Sequence, residues 1–193
     1  MGHKGTVVLE TERLILRPFK LNDLNSIYAN CWSNYDVWKW TNYEQMSCVE
    51  DVIHKAKMFT EKWLNAYNDP KRYSWAIVVK ETNEVIGRYF GMNLDDDLNE
   101  IELTYEIGQK WWNKGIVTEA TKRIIKFFFE EVGINRLYAY HAKDNIPSGK
   151  VMQKCGMQYE GTLRQACKCN NGVFDKVIYA IIAEDYFNDG TIK

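Results

Sequence analysis

Several features that would assign this 193-residue sequence to a broad class of proteins are missing. The formal net charge is −1, so no basic field favours nucleic acid or an anionic membrane as a partner. No apolar run approaches the length needed to span a bilayer. The first residues, Met1–Leu14, lack the apolar core of a secretory signal. We therefore expect a cytoplasmic protein that binds neither nucleic acid nor membrane.

Cysteine and histidine are too few and too irregularly spaced for a disulfide framework or a metal centre. Five cysteines without framework spacing favour a reducing compartment. Cys167 and Cys169 place two thiols on one strand face, but a metal site needs two further ligands, and the three histidines offer no matching spacing. We expect no metal, and we interpret these thiols as packing or surface residues.

Two common nucleotide-binding signatures are also missing, although one stretch of the chain is suited to phosphate. The sequence has neither a Gly-x-x-x-x-Gly-Lys-Ser/Thr loop nor a three-glycine dinucleotide fingerprint. From Ile101 to Ala120, however, a strand pattern is followed by a turn and then by a helix pattern that begins at Gly115. Such a turn exposes free N–H groups at the positive end of a helix dipole, so it can hold a phosphate. Lys114 adds charge there, and the alternative is an ordinary connection that binds nothing.

Apolar periodicity predicts further strands and helices outside this stretch. The predicted strands are Val7–Leu9, Leu14–Leu16, Tyr73–Val79, Val85–Met92, Leu137–His141, Met157–Cys169 and Val173–Ala183. The predicted helices begin at Asn22 or Asp23, at Ser47 and around Asp144–Pro147, and the last one ends at Lys154–Gly156. The order β-α-α-β-β-β-α-β-α-β-β predicts an α/β fold, one domain over residues 1–193, with a mixed sheet and helices on both faces.

Three separated stretches resemble one protein family. Thr11–Phe19 reads TERLILRPF, and Trp112–Ala120 reads WNKGIVTEA, close to the family's Trp-Gly-Lys-Gly-Tyr-Ala-Thr-Glu-Ala. Asn145 and Ser148 form an Asn-x-x-Ser motif, which KCGM follows at Lys154–Met157. In this order and at these separations, the stretches are similar to GNAT-type N-acetyltransferases of the RimJ/RimL-like branch. The resemblance covers nearly the whole chain and implies a GNAT-like, largely antiparallel mixed sheet.

The resemblance also implies acetyl-coenzyme A as the acetyl donor and a primary amine as the acceptor. The turn before the central helix would hold the pyrophosphate by backbone N–H groups of Trp112, Asn113, Lys114, Gly115, Ile116, Val117 and Thr118. Backbone groups near Glu106 and Ile107 would pair with the pantetheine arm as an added strand does. Asn145 and Ser148 would lie beside that arm, near the thioester. Val117 departs from the small residue of the family, and a β-branched side chain there narrows the approach to phosphate.

Two side chains are candidates for proton transfer. Glu102 matches a strand glutamate of the branch and is the best carboxylate to take the proton of an ammonium, and the alternative is a solvated strand face. Ser148 is the candidate acid for the departing thiolate, by resemblance to the ribosomal-protein acetyltransferases, and the alternative is a serine that satisfies free N–H groups at a helix start. In those relatives a late-strand glutamate is the base, and the matching position here is Cys167, a poor substitute.

The sequence says less about the acceptor amine and the groove that binds it. The aromatic stretch Trp32–Tyr43 has no regular period and predicts a loop, which borders the acceptor groove in the family; packing of its rings in the core is an equal alternative. The acceptor is a protein N-terminal amine or a small amine, acetylated by direct transfer in a ternary complex because no cysteine has an evident histidine partner. A longer acyl chain, a non-catalytic domain that senses coenzyme A or binds a partner, and a homodimer stay open.

Overall fold

The computed structural model describes residues 2–42, 48, 50–51 and 65–188. Nearly all of the predicted helix from Ser47 to Trp63 lies outside the described residues, and so does Tyr43, the last residue of the aromatic stretch. None of the described helices is long and apolar enough to cross a membrane.

Eight strands form one sheet in the order β1-β2-β3-β4-β5-β6-β8-β7. They are β1 (Leu9–Glu10), β2 (Leu14–Arg17), β3 (Tyr73–Val79), β4 (Val85–Asp95), β5 (Glu100–Ile107), β6 (Arg136–Ala142), β7 (Gln158–Cys169) and β8 (Gly172–Ile182). Neighbouring strands are antiparallel except β5 and β6, which are parallel. The predicted α/β fold with a largely antiparallel mixed sheet is therefore confirmed.

Five α-helices are described between and after these strands. They are α1 (Leu24–Ile27), α2 (Tyr35–Trp38), α3 (Ile116–Lys126), α4 (Ile146–Lys154) and α5 (Ala183–Asn188). A 3-10 turn, Leu21–Asp23, precedes α1, and π-helical turns follow α1 and α3 at Tyr28–Trp32 and Phe127–Val132. Helix α5 was not predicted, and Ala183, expected to end a strand, is its first residue.

Asp23 directly precedes α1, as expected for a cap at Asn22 or Asp23, but its side chain makes no capping bond to that helix. A 3-10 turn already begins at Leu21, and Asp23 is the third residue of that turn. The Asp23 carboxylate reaches back to accept a hydrogen bond from the Lys20 N–H at 2.7 Å, and it also pairs with the guanidinium of Arg17 at 2.7 Å. Since a carboxylate at the third helical position can satisfy the N–H of the capping residue, helical structure begins at Leu21, two or three residues earlier than a cap at Asn22 or Asp23 predicts.

Two apolar clusters cover the two faces of the sheet, so the prediction of helices on both faces is confirmed. Strand β3 is buried along its whole length because its side chains alternate between the clusters. On one face, Trp75 and Ile77 pack with the apolar side of α3. On the other face, Ala76 and Val78 pack with the α1 segment and with two rings of the aromatic stretch. Those rings, Trp32 and Trp38, are buried, as the core alternative for this stretch expected.

Strands β5 and β6 are paired only at their beginnings. The parallel ladder joins Glu100–Glu102 to Arg136–Tyr138, and within the described chain no later residue of β5 pairs with β6. Strand β6 instead continues along β8 through Ala142, while β5 stays on β4 through Ile107. The two strands therefore separate after Glu102 and leave a gap in the middle of the sheet, which we call the central gap.

Candidate active site

The turn before α3 has the backbone shape of an anion-binding site. Asn113 and Gly115 both adopt left-handed conformations, with φ of 58° and 72°. The first backbone bond into the helix runs from the Glu119 N–H to the Gly115 carbonyl at 3.0 Å. The N–H groups of residues 116–118 therefore have no carbonyl partner inside the helix. Alternating left-handed residues and a free helix start together form a concave set of donors suited to phosphate.

The side chains around this turn leave it open and positively charged. A Cβ placed on Gly115 would meet only the Arg13 Nη2, at 3.6 Å. The Lys114 Nζ lies 5.4 Å from the ring centre of Trp111 at the edge of the turn. Val117 is 8% exposed and packs in the core beneath α3, so its β-branched side chain does not extend into the turn. The presence of Val117 in place of the family's small residue therefore leaves the backbone N–H donors of the turn uncovered.

The turn is joined to the end of β5 by Trp112. Its indole Nε1 donates a hydrogen bond to the Ile107 carbonyl at 2.9 Å. The predicted phosphate-binding residues and the predicted pantetheine-pairing residues are thereby brought together along the edge of the central gap.

Ser148 lies on the same side of the sheet, in the first turn of α4. Its Oγ is 2.7 Å from the Tyr105 hydroxyl on β5, so this contact bridges the central gap. The cap position of α4 is Asn145, whose side chain makes no capping bond, and Ser148 is the third residue of the helix. The hydroxyl of Ser148 thus faces a second hydroxyl instead of serving as the helix cap. Burial, the largest cause, raises the pKa of Tyr105, so its hydroxyl stays protonated.

Glu102 lies where β5 and β6 separate, on the opposite face of the sheet. It is three residues before Tyr105, and successive strand residues alternate between faces. Its side chain is only 6% exposed, so the alternative of a solvated strand face is wrong. One carboxylate oxygen accepts from Asn93 Nδ2 at 2.8 Å and the other from Thr104 Oγ1 at 3.1 Å. Both of these donors are neutral groups.

Glu106, on the same face, is held differently. Its Oε1 accepts from Arg88 Nε at 2.8 Å and from Trp32 Nε1 at 2.6 Å. The Arg88 guanidinium also lies 4.5 Å from the ring centre of Trp32. Because an arginine already balances its charge, the Glu106 carboxylate is suited to fixing the aromatic segment rather than to taking a proton.

Cys167 closes this face from the side of β7. A bulge in β7 places three residues opposite Asp175 alone, between the pairs of Leu163 with Lys176 and Cys167 with Phe174. Beyond the bulge, Cys167 lies beside the Tyr140 hydroxyl. Burial first, and then the negative charge of Glu102, raise the pKa of Tyr140 to about 12.

The sequence motifs did not identify Tyr105, Tyr140 or Asn93 as site residues. The only signal in the sequence was a polar ring or an amide among the residues of a predicted strand.

The hairpin between β7 and β8 rests on the aromatic stretch. The Asn170 N–H donates to the Thr41 carbonyl at 2.7 Å, and the Asn171 N–H donates to the Lys39 carbonyl at 3.2 Å. The Asn170 side chain adds a bond to the Trp38 carbonyl at 3.0 Å. The face that carries Glu102 is therefore bordered by the aromatic stretch on one side and by the late hairpin on the other.

A sequence profile of the acetyltransferase (GNAT) domain matches residues 13–158. The chain belongs to the GNAT acetyltransferase family. It is 31% identical over 175 residues to the uncharacterized N-acetyltransferase YoaA of Bacillus subtilis, which covers 91% of this chain and 96% of that protein. The chain is accordingly an N-acetyltransferase, as the resemblance implied, and the match to YoaA extends over nearly the full length of both proteins.

Two further comparisons extend this relationship. Over 84 residues the chain is 30% identical to the ribosomal protein uS5-alanine N-acetyltransferase of Escherichia coli, with 44% of this chain and 43% of that protein covered. The structure of the microcin C7 self-immunity acetyltransferase MccE, a complex with acetyl-CoA and AMP, superposes with a TM-score of 0.77 at 20% identity, over 89% of this chain and 93% of that chain. The likeness to MccE shows that the two chains share a fold.

Proposed function

We propose that this GNAT N-acetyltransferase uses acetyl-coenzyme A as its donor and passes the acetyl group directly to a primary amine in a ternary complex. The observation that carries the proposal is the placement of the polar side chains around the central gap. The phosphate-suited turn and Ser148 lie on one face, which we call the donor face. Glu102 lies on the other, which we call the acceptor face. A donor and an acceptor entering from opposite faces would meet in the gap.

The residues on the donor face fit acetyl-coenzyme A. The free N–H groups of residues 116–118, the left-handed turn and Lys114 suit a pyrophosphate. Among the described residues, no strand pairs with the side of β5 that faces the gap after Glu102, so this side suits the amide-rich pantetheine arm. When bound, this co-substrate supplies an acetyl group activated as a thioester.

Glu102 takes the proton that the acceptor amine must lose. An alkylamine with a pKa of about 10 is an ammonium at neutral pH and cannot attack until it is deprotonated. The buried carboxylate is hydrogen-bonded by Asn93 and Thr104, two neutral donors, so its negative charge stays available to an incoming cation. It also stands at the point where the central gap begins.

Ser148 holds a proton on the donor face. Its Oγ can donate that proton to the departing sulfur and recover one from the Tyr105 hydroxyl, 2.7 Å away. Tyr105 is thus part of the same relay, since its raised pKa keeps the phenol protonated.

Direct transfer is supported by the state of two cysteines. Burial raises the pKa of Cys31 and, to about 12, that of Cys155. A thiol that remains protonated is a weak nucleophile, so these residues are unsuited to carry an acetyl group.

Initial-rate kinetics with two varied substrates tests the proposal. The amines would be a peptide with a free N-terminal alanine, a polyamine and a free amino acid, with coenzyme A release as the readout. Intersecting double-reciprocal lines are expected for at least one amine. Parallel lines with an acetylated cysteine in intact-mass spectra would overturn direct transfer. Binding of acetyl-coenzyme A without turnover of any amine would favour a coenzyme A-sensing domain.

A further inference from the structure

The turn between β1 and β2 is bonded to the first turn of α3, more than a hundred residues away. The Glu119 Oε1 accepts from Thr11 Oγ1 at 2.5 Å and from the Arg13 N–H at 2.9 Å. The Glu119 Oε2 accepts from Arg13 Nε and Nη2, each at 2.6 Å. Four hydrogen bonds thus converge on one carboxylate, and they join two of the three sequence stretches that resemble the family.

The same arginine also reaches the phosphate-suited turn itself. Arg13 Nη1 donates to the Lys114 carbonyl at 3.0 Å, and Nη2 lies 3.6 Å from where a Cβ of Gly115 would be. In a trans peptide the carbonyl and the next N–H point in opposite directions. The bond to the Lys114 carbonyl therefore fixes the Gly115 N–H as well, on the side facing away from Arg13.

The arginine has an electrostatic effect on this site too. A carboxylate in the first turn of a helix is favourable to the helix dipole, but it repels an anionic ligand at the same helix start. Burial alone would raise the pKa of Glu119, yet the hydrogen bonds from Thr11 and Arg13 outweigh it and lower the pKa. Glu119 is therefore charged, and the Arg13 guanidinium balances that charge.

We propose that Arg13 is a positioning residue of the phosphate-binding turn. Arg13 holds the Lys114–Gly115 peptide in place and neutralises Glu119 beside the incoming pyrophosphate. The proposal rests on the proposed use of acetyl-coenzyme A. It assigns a role in donor binding to the Thr-Glu-Arg stretch, which lies in the turn between β1 and β2, far in sequence from every residue expected to contact the donor. The ligand chemistry it serves is a diphosphate.

A purely structural ion pair is available for comparison on β2, the strand that follows Arg13. Arg17 makes a two-bond pair with Asp23, at 2.7 and 2.8 Å, and its side chain is more buried than that of Arg13. Nothing in that pair touches the turn before α3. Arg17→Ala is therefore a matched control, which removes a two-bond arginine pair and leaves the turn intact.

The test is calorimetric titration of the full chain with acetyl-coenzyme A. Arg13→Ala should weaken binding by about tenfold, because the turn loosens and Glu119 becomes an uncompensated negative charge. Arg13→Ala with Glu119→Gln should recover part of that loss, since the second change removes the charge. Arg17→Ala should change the affinity by less than about twofold, whatever it does to the melting temperature. If the alanine variant fails to fold, Arg13→Lys, which keeps the positive charge, takes its place in this titration.

Acetyl-pantetheine, which lacks the diphosphate, separates positioning of the turn from a general loss of structure. Arg13→Ala should lower kcat/KM for acetyl-coenzyme A and leave kcat/KM for acetyl-pantetheine nearly unchanged. Equal losses with both donors, or wild-type affinity in a folded Arg13→Ala, would overturn the proposal. If the wild-type chain does not bind acetyl-coenzyme A at all, the proposed donor is wrong and this proposal falls with it. Binding by the wild type with no effect of Arg13→Ala removes this proposal alone.

Discussion

The donor face and the acceptor face of the central gap are built in different ways. The donor face takes most of its polar groups from short continuous runs, the turn at residues 112–118 and the start of α4 at residues 145–148, and adds the Tyr105 hydroxyl from β5. The acceptor face takes Asn93, Glu102, Tyr140 and Cys167 from four different strands, together with a bordering aromatic stretch. A run of consecutive residues keeps its shape in any chain that folds the same way, whereas a face assembled from four strands can change one residue at a time.

This contrast accounts for which properties each face displays. Most hydrogen-bond donors of the turn are backbone N–H groups. The presence of Val117 in place of the family's small residue therefore changes the phosphate-binding groups little, because the valine side chain packs inward. On the acceptor face the chemistry depends on side chains, and the resemblance to the ribosomal-protein acetyltransferases predicts Cys167 at the position of their late-strand glutamate. Glu102 is the carboxylate that remains at the gap with neutral hydrogen-bond donors. The proposed donor site is thus built mainly from backbone groups, and the proposed acceptor site mainly from side chains.

The largest effect is expected for Glu102→Gln, which changes the acceptor face alone. Loss of a general base lowers turnover by about 10²–10⁴-fold. The affinity for acetyl-coenzyme A should not change, because the turn is on the other face. Steady-state kcat and a separate titration measure the two quantities. Glu100→Gln is the control, since it removes the same charge from the same strand at a residue that pairs with Arg136. Equal turnover losses in both variants would show that Glu102 is not the base.

Ser148→Ala tests the donor face. We expect turnover to fall by about 10²-fold, with a smaller change in the affinity for acetyl-coenzyme A, because the variant removes the proton donor and leaves the turn intact. Single-turnover rates with saturating donor measure the chemical step. A variant that turns over at the full rate would mean that water or Tyr105 protonates the departing sulfur unaided.

Gly149→Ala should displace Ser148 on the donor face without changing that residue. A Cβ on Gly149 would lie 2.6 Å from the Nε2 of His141, a buried ring on β6 whose Nδ1 bonds the Ala142 carbonyl at 2.7 Å. The first turn of α4 must shift to relieve this clash. We expect turnover to fall by about tenfold, because small displacements of an aligned group are costly.

A second variant checks the cause of that loss. His141→Ala removes the ring that the added methyl group would strike, so the double variant Gly149→Ala with His141→Ala should regain turnover that Gly149→Ala lacks. If the double variant is no faster than Gly149→Ala, contact with His141 is not what displaces Ser148.

The sequence predicted the fold well because its signals are local. Strand β3 was predicted at its observed bounds, Tyr73–Val79, since a run of six apolar or aromatic residues and one serine, flanked by turns, admits few other structures. The start of α3 followed from Gly115, whose left-handed conformation ends the preceding turn. Local signals gave the position of Asp23 but not its role, because its carboxylate bonds the Lys20 N–H and the Arg17 guanidinium instead of capping α1.

The site was predictable only in part for the same reason. The phosphate-suited turn is continuous in sequence and was identified directly. The burial of Glu102 depends on Asn93 and on the separation of β5 from β6, and no periodicity encodes either of these. The link from Arg13 to Glu119 joins positions 106 residues apart, so it becomes visible only in three dimensions.

The most direct test of the account is calorimetric titration of the wild-type chain with acetyl-coenzyme A and with desulfo-coenzyme A, alongside Gly115→Glu and Gly133→Glu. Gly133 is also left-handed, with φ of 80°, and a Cβ there meets nothing within 4 Å, so its variant matches the strain without touching the turn. We expect both ligands to bind the wild-type chain with Kd on the order of micromolar, and we expect this binding to be retained in Gly133→Glu and lost in folded Gly115→Glu. Absence of binding by the wild type, or unchanged affinity in Gly115→Glu, would contradict the assignment of this turn to the donor.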